Sequence, residues 1–126
     1  MIEIKKKRQD ICLYKYRIIK GKESIADEWL EFLKAHKEDG ERLLKKEKAY
    51  LEAYFKSVEN EMTYIYMLFS SDSISFSNSN ASEEGTELDK KHFDYMKACI
   101  DLNSIKVLSP ELFLNNVEDS VEVIER

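Results

Sequence analysis

The sequence predicts an α+β fold in which four antiparallel strands carry two helices on one face. Three observations predict it. Runs rich in β-branched and aromatic residues recur at 11–19, 49–57 and 63–69. Apolar stripes at helical spacing run through 24–48 and 88–100. The order is strand, helix, strand, strand, helix and then a last strand at 105–108. A length of 126 residues with 43% hydrophobic residues fits one domain with a real core.

Residues 1–10 form a basic N-terminal segment ending in Lys5, Lys6, Lys7 and Arg8, read as a solvated tail. In the first strand, 11–19, Tyr14, Tyr16 and Ile18 share one face, and Leu13, Lys15, Arg17 and Ile19 share the other. Lys20-Gly21-Lys22 ends it. Ser24 suits a helix N-cap, with Asp27 and Glu28 in the first turn. Ile25, Trp29, Phe32, Leu33 and His36 then make one stripe, which resumes at Leu43 and Leu44. Gly40 costs about 1 kcal/mol in a helix interior. It predicts a weak point there, or two helices meeting there.

Strands at 49–57 and 63–69, joined by a short polar turn, predict a hairpin. Residues 70–86 are a Ser/Asn-rich loop with Ile74 and Phe76 as its only large apolar residues. In the second helix Leu88, His92, Met96 and Cys99 fall on one stripe. Pro110 makes the last strand an edge. The acidic tail, 117–126, reads as a short helix or arm.

Composition excludes several functions. Twenty Lys+Arg against 25 Asp+Glu give a net charge of −5, which repels nucleic-acid phosphates. No apolar run approaches the ~20 residues of a membrane helix, and the start lacks a signal-peptide pattern. Cys12 and Cys99 form no CxxC, and His36 and His92 are not at finger spacing from them, so no metal site is expected. Both thiols read as core filler in a cytoplasmic protein. Gly21, Gly40 and Gly85 are too far apart for a phosphate loop, and nucleophile-elbow, HExxH and EF-hand patterns are absent. No cofactor is expected.

This element order is the split βαβ, or ferredoxin-like, plan: βαββαβ with a four-stranded antiparallel sheet. Its two helices cover one sheet face. The other is expected to carry tyrosines and phenylalanines and to be covered by a second copy, giving a homodimer of the dimeric α+β barrel type.

The sequence also resembles an uncharacterised family of small bacterial proteins with this fold. The matching pieces are Tyr16-Arg17-Ile18-Ile19-Lys20-Gly21-Lys22 leading into Trp29-Leu30-Glu31-Phe32-Leu33; Tyr50-Leu51-Glu52-Ala53-Tyr54-Phe55; Tyr64-Ile65-Tyr66-Met67; and 88–100, with its acidic residues, His92 and Cys99. The resemblance spans about 13–114. It implies the fold and no established activity. The chain departs from the family pattern at 70–86, where Ser and Asn replace an acidic linker. Wider relatives of the barrel include cofactor-free monooxygenases and haem-degrading enzymes, and no motif specific to either is present.

The candidate chemistry rests on a few residues. His92, on the sheet-facing stripe of its helix, suits a general base or a hydrogen bond to a ligand. Glu52, in phase with Tyr50 and Tyr54, would be a carboxylate among aromatics with a raised pKa; its alternative is an outward residue paired to Lys15 or Arg17. Tyr14, Tyr16, Tyr54, Tyr64 and Tyr66, with Trp29, are candidates to line a pocket for a small organic ligand. The same tyrosines suit cross-strand packing and a dimer core, and Trp29 suits a helix anchor. Two functions follow: a ligand-binding dimer with a cavity between sheet and helices, or a cofactor-free monooxygenase- or isomerase-like enzyme using His92 and Glu52.

Overall fold

The computed structural model describes residues 2–6, 9–72, 87–116 and 121–125. Two strands, β1 (Ile2–Lys6) and β2 (Asp10–Arg17), precede two helices, α1 (Glu23–Ala35) and α2 (Lys37–Lys46). A hairpin follows, β3 (Ala49–Glu59) and β4 (Met62–Ser71). Then come α3 (Glu87–Cys99), a 3-10 turn at Leu102–Ser104, β5 (Lys106–Leu108) and β6 (Val121–Glu125).

The main sheet runs β3-β4-β2-β5, antiparallel throughout. The first and third strands of the βαββαβ unit are therefore central, and the strands entered from α2 and α3 are the edges. This is the ferredoxin-like order expected from the sequence. The hairpin closes through Asn60 and Glu61, both at positive φ (51° and 66°), a two-residue turn whose twist matches its strands.

Period-two alternation sorts the sheet into two faces. Cys12, Tyr14 and Tyr16 stand opposite Phe69, Met67 and Ile65 of β4, and Phe69 and Met67 stand opposite Glu52 and Tyr54 of β3. This face lies beneath the helices. Its core adds Ile18, Ala26, Trp29, Cys99 and Ile100, all buried. Cys12 and Cys99 are free thiols in that core, as the sequence suggests. The open face carries Leu13, Lys15 and Arg17 opposite Leu68, Tyr66 and Tyr64, with Leu51 and Phe55 on β3.

Several expectations are corrected. The helical stretch breaks at His36, not at Gly40, which sits inside α2. His36 leaves helical geometry (φ −115°, ψ 30°), its Nδ1 lies 2.9 Å from the Phe32 carbonyl, and its ring packs on Phe32 at 4.5 Å. That side-chain bond to the backbone competes with the helix ladder. Ser24 is not the cap; Lys22 is the N-cap residue, and the Glu23 carboxylate accepts from the Gly21 N–H at 2.9 Å, where Gly21 has φ 91°. Asp27 instead pairs with Lys56 of β3 at 2.8 Å.

Ser70 and Ser71 belong to β4 and are buried, not looped. The rest of the expected Ser/Asn-rich loop, 73–86, lies outside the described residues. The basic start and acidic end are not simply a tail and a helix or arm: β1 pairs with β6 antiparallel, and the register sets Lys5 opposite Glu122. Both segments place β-branched residues at alternate positions, which favours strands.

Candidate functional site

Above the sheet, α1 packs against α3, whereas the break at His36 sends α2 toward β3. The space between α2 and α3 is a cavity of about 390 Å³. Tyr14, Tyr16, Glu52, Tyr54, Met67 and Phe69 form its floor. Trp29 and Leu33 come from α1; Leu43, Leu44 and Glu47 from α2 and its end; Leu88, Asp89, His92, Phe93 and Met96 from α3. The volume is within the range of small-molecule sites.

Trp29 is the hub. It is 0% exposed, and its ring meets Tyr54 edge-on at 5.7 Å and Tyr16 at 6.4 Å. Its indole N–H donates to His92 Nδ1 at 2.9 Å. An indole nitrogen only donates, so Nδ1 must accept and the single ring proton sits on Nε2. Burial lowers the His92 pKa to about 4, despite the opposing pull of Asp89 one turn back on α3. At neutral pH the imidazole is therefore an uncharged N–H donor with its acceptor nitrogen already used.

Glu52 reaches the cavity because of a β-bulge. The pairing of β3 with β4 steps from Ala49 opposite Ser71 to Leu51 opposite Ser70, leaving Tyr50 as the extra residue. Glu52 then falls on the helix face. It is an exposed residue on the rim of the cavity, crowded by neighbouring side chains on the sheet. Desolvation pushes its pKa up; a hydrogen bond with the Tyr54 hydroxyl pulls the other way, and the charge of Asp89 adds to the rise. The hydroxyls of Tyr54 and Tyr16 are pushed up chiefly by burial, with the Glu52 charge contributing.

His92, Glu52, Tyr14, Tyr16, Tyr54 and Trp29 thus border one cavity. Tyr64 and Tyr66 do not; they are on the opposite face. There Lys15 Nζ lies 4.4 Å from the Tyr64 ring centre and 5.6 Å from that of Tyr66, and the Tyr66 hydroxyl donates to Glu59 at 2.6 Å. The alternative partners for Glu52 are engaged elsewhere, Lys15 with Glu59 at 3.7 Å and Arg17 with Asp101 at 2.5 Å. Sequence reasoning missed Asp89, Glu47 and Phe93 as cavity residues. Asp89 carried a signal, since it precedes His92 by three positions on one helix face.

Among the described residues, no group of His, Cys, Asp and Glu is arranged to hold a metal ion. Nor is any described helix long and apolar enough to cross a membrane.

Comparison with solved structures supports the fold. A NIPSNAP family protein from Agrobacterium tumefaciens superposes with a TM-score of 0.56 at 17% identity, covering 85% of this chain and 90% of that one. A conserved protein from Methanosarcina mazei gives 0.54 at 16% identity, covering 84% and 96%. A dimeric ferredoxin-like protein from an uncultured marine organism gives 0.53 at 15% identity, covering 88% and 96%. No curated protein matches the sequence. Residues 9–120 match a family of unknown function, DUF6176, and the chain belongs to that family.

Proposed function

We propose that the protein binds a small organic molecule in the cavity between its sheet and helices, and that it does so as a cytoplasmic homodimer. The observation that carries the binding reading is the cavity itself: about 390 Å³, walled by aromatic and aliphatic side chains, with Glu52 and the Trp29–His92 pair as its fixed polar groups. Cavities with apolar walls and few polar groups are the usual form of such sites.

The homodimer reading draws on the open sheet face. Phe55 is 55% exposed there, with Leu51 and Leu108 also exposed. Beside them Ile11, Leu13, Leu68, Pro110, Leu112, Phe113 and Leu114 line an apolar groove, with Leu114 83% exposed. A contiguous apolar patch of this kind is the sort covered by association, and the marine ferredoxin-like neighbour is a dimer.

The test is a titration with 1-aminoanthracene, a neutral aromatic whose emission rises in apolar surroundings. Saturable binding at one site per protomer is expected, lost in Leu44→Trp and in Leu88→Trp, which fill the cavity from different helices. Binding unaffected in both folded variants would overturn the reading.

The shared cavity also favours a second reading, cofactor-free proton transfer. Because Nδ1 of His92 is occupied, the base would be Glu52, and His92 Nε2–H would donate to a carbonyl oxygen of the substrate. Exchange of the α-protons of phenylacetaldehyde in deuterated water, followed by NMR, tests this. Acceleration that disappears in Glu52→Gln supports it, and exchange at the buffer rate refutes it.

A further inference from the structure

We infer that the ligand of this cavity is an uncharged carbonyl compound whose oxygen accepts from the Nε2–H of His92, and that Trp29 selects this class by fixing the His92 tautomer. The inference rests on the ligand-binding reading above, names the ligand's chemistry and needs no proton transfer.

The Trp29–His92 hydrogen bond joins α1 to α3, with 2.9 Å between Nε1 and Nδ1 and the ring centres 5.7 Å apart. Trp29 is fully buried and its ring is held by Tyr16 and Tyr54, so its N–H keeps one direction. An indole N–H only donates. The imidazole therefore accepts at Nδ1 and presents its proton at Nε2. Among the described residues nothing accepts from that Nε2–H; Asp89, one turn back on α3, acts on His92 through its charge and not through a hydrogen bond. The half-buried His92 ring borders the cavity.

The neighbouring hydroxyls do not share this role. The Tyr54 hydroxyl is hydrogen-bonded to Glu52, and the Tyr14 hydroxyl to the Cys12 thiol. The Tyr16 hydroxyl rotates and can give or accept, whereas Nε2 can only give. A ligand without an acceptor would leave that donor dry and unpaired, which costs more than a hydrogen bond returns. An acceptor oxygen on an apolar body satisfies it and packs on Leu33, Leu43, Leu44, Leu88 and Met96. A carbonyl fits because it accepts and brings no proton that needs a second partner. An ionised carboxylate also accepts, but one uncharged N–H does not offset the cost of drying an ion.

The experiment is displacement of 1-aminoanthracene from the full chain by acetophenone, by its hydrocarbon isostere α-methylstyrene and by benzoate. Acetophenone should compete at least as well as α-methylstyrene, although water holds the ketone more strongly, and benzoate should compete least. His92→Asn keeps an amide oxygen for the Trp29 N–H but is too short to donate from the Nε2 position. It should weaken acetophenone about tenfold and leave α-methylstyrene within about twofold, which also shows that the variant is folded. Proton–nitrogen NMR of the unaltered protein gives a second readout. His36, whose Nδ1 faces the Phe32 carbonyl, carries the opposite tautomer, so the two histidines are told apart. The His92 Nε2–H proton should move downfield with acetophenone and not with α-methylstyrene. A ketone-to-hydrocarbon ratio unchanged in His92→Asn, an unmoved Nε2–H with acetophenone bound, or tighter benzoate would overturn the carbonyl assignment and leave 1-aminoanthracene binding intact. Absence of binding by all four compounds would overturn the ligand-binding reading as well.

Discussion

Acidification should destabilise the protein through His92 before its surface carboxylates lose their charge. In the folded chain burial holds the His92 pKa near 4, against an ordinary value of 6.5. The Trp29 N–H reinforces this, because a second ring proton on Nδ1 would break that bond. The unfolded chain therefore takes up the proton first. The contribution of neutral His92 to stability is whole above pH 6.5 and is lost as pH falls toward 4. At ~1.4 kcal/mol per pH unit, the loss by about pH 4.5 is ~2.5 kcal/mol. With an unfolding entropy of roughly 2.1 cal/mol/K per residue, that lowers the Tm by ~9 °C.

Glu52 acts in the opposite sense. Burial raises its folded pKa, so its contribution is present at low pH and is lost as pH rises through that raised value. A Glu52→Gln background removes the opposing term. Asp101 and Glu59 are held low by hydrogen bonds from Arg17 and Tyr66, so they weaken the fold only at more acid pH. Thermal unfolding is then followed from about pH 7.5 to about pH 4.5 in Glu52→Gln and in Glu52→Gln/His92→Asn. Asparagine places an amide oxygen near the Nδ1 position, so the Trp29 hydrogen bond keeps an acceptor. The single variant should lose ~9 °C across the range and the double variant less than about a third of that. Parallel slopes in the two proteins would refute the reasoning.

Other outcomes follow from the packing. Trp29→Phe removes a hydrogen bond and opens a small void at a fully buried position, and denaturant unfolding should show a loss of ~2–3 kcal/mol. Gly40→Ala should raise stability by up to about 1 kcal/mol, because a Cβ there meets nothing within 4 Å; a loss would show that the helix there is strained. Phe55→Glu on the open face should shift sedimentation from dimer to monomer without changing the far-UV spectrum. Cys12 and Cys99 are buried with raised pKa values, Cys99 to about 11, so neither should react with a thiol reagent until the protein unfolds.

The order of elements was legible because each of the long elements repeats its period several times. The alternation in β4 and the stripe of α3 are of this kind. The face on which Glu52 lies was not legible. A one-residue slip exchanges the faces of a strand, and the bulge at Tyr50 that sets the phase of β3 is a product of pairing with β4. The placement of Tyr64 and Tyr66 was more accessible. They alternate with Ile65, Met67 and Phe69, which the same rule puts on the helix face. The helix break misled because glycine carries the strongest local penalty, whereas the break at His36 depends on a ring orientation that propensity does not encode. Pairing of β1 with β6 joins the two ends of the chain, and no local pattern announces so distant a partner.

The most direct measurement is a crystal structure of the protein soaked with 1-aminoanthracene. The expected result is the ring system between α2 and α3, against Trp29 and Tyr54. Density for the probe in the apolar groove beside Pro110 and Leu114, with the space between α2 and α3 closed by side chains, would contradict it.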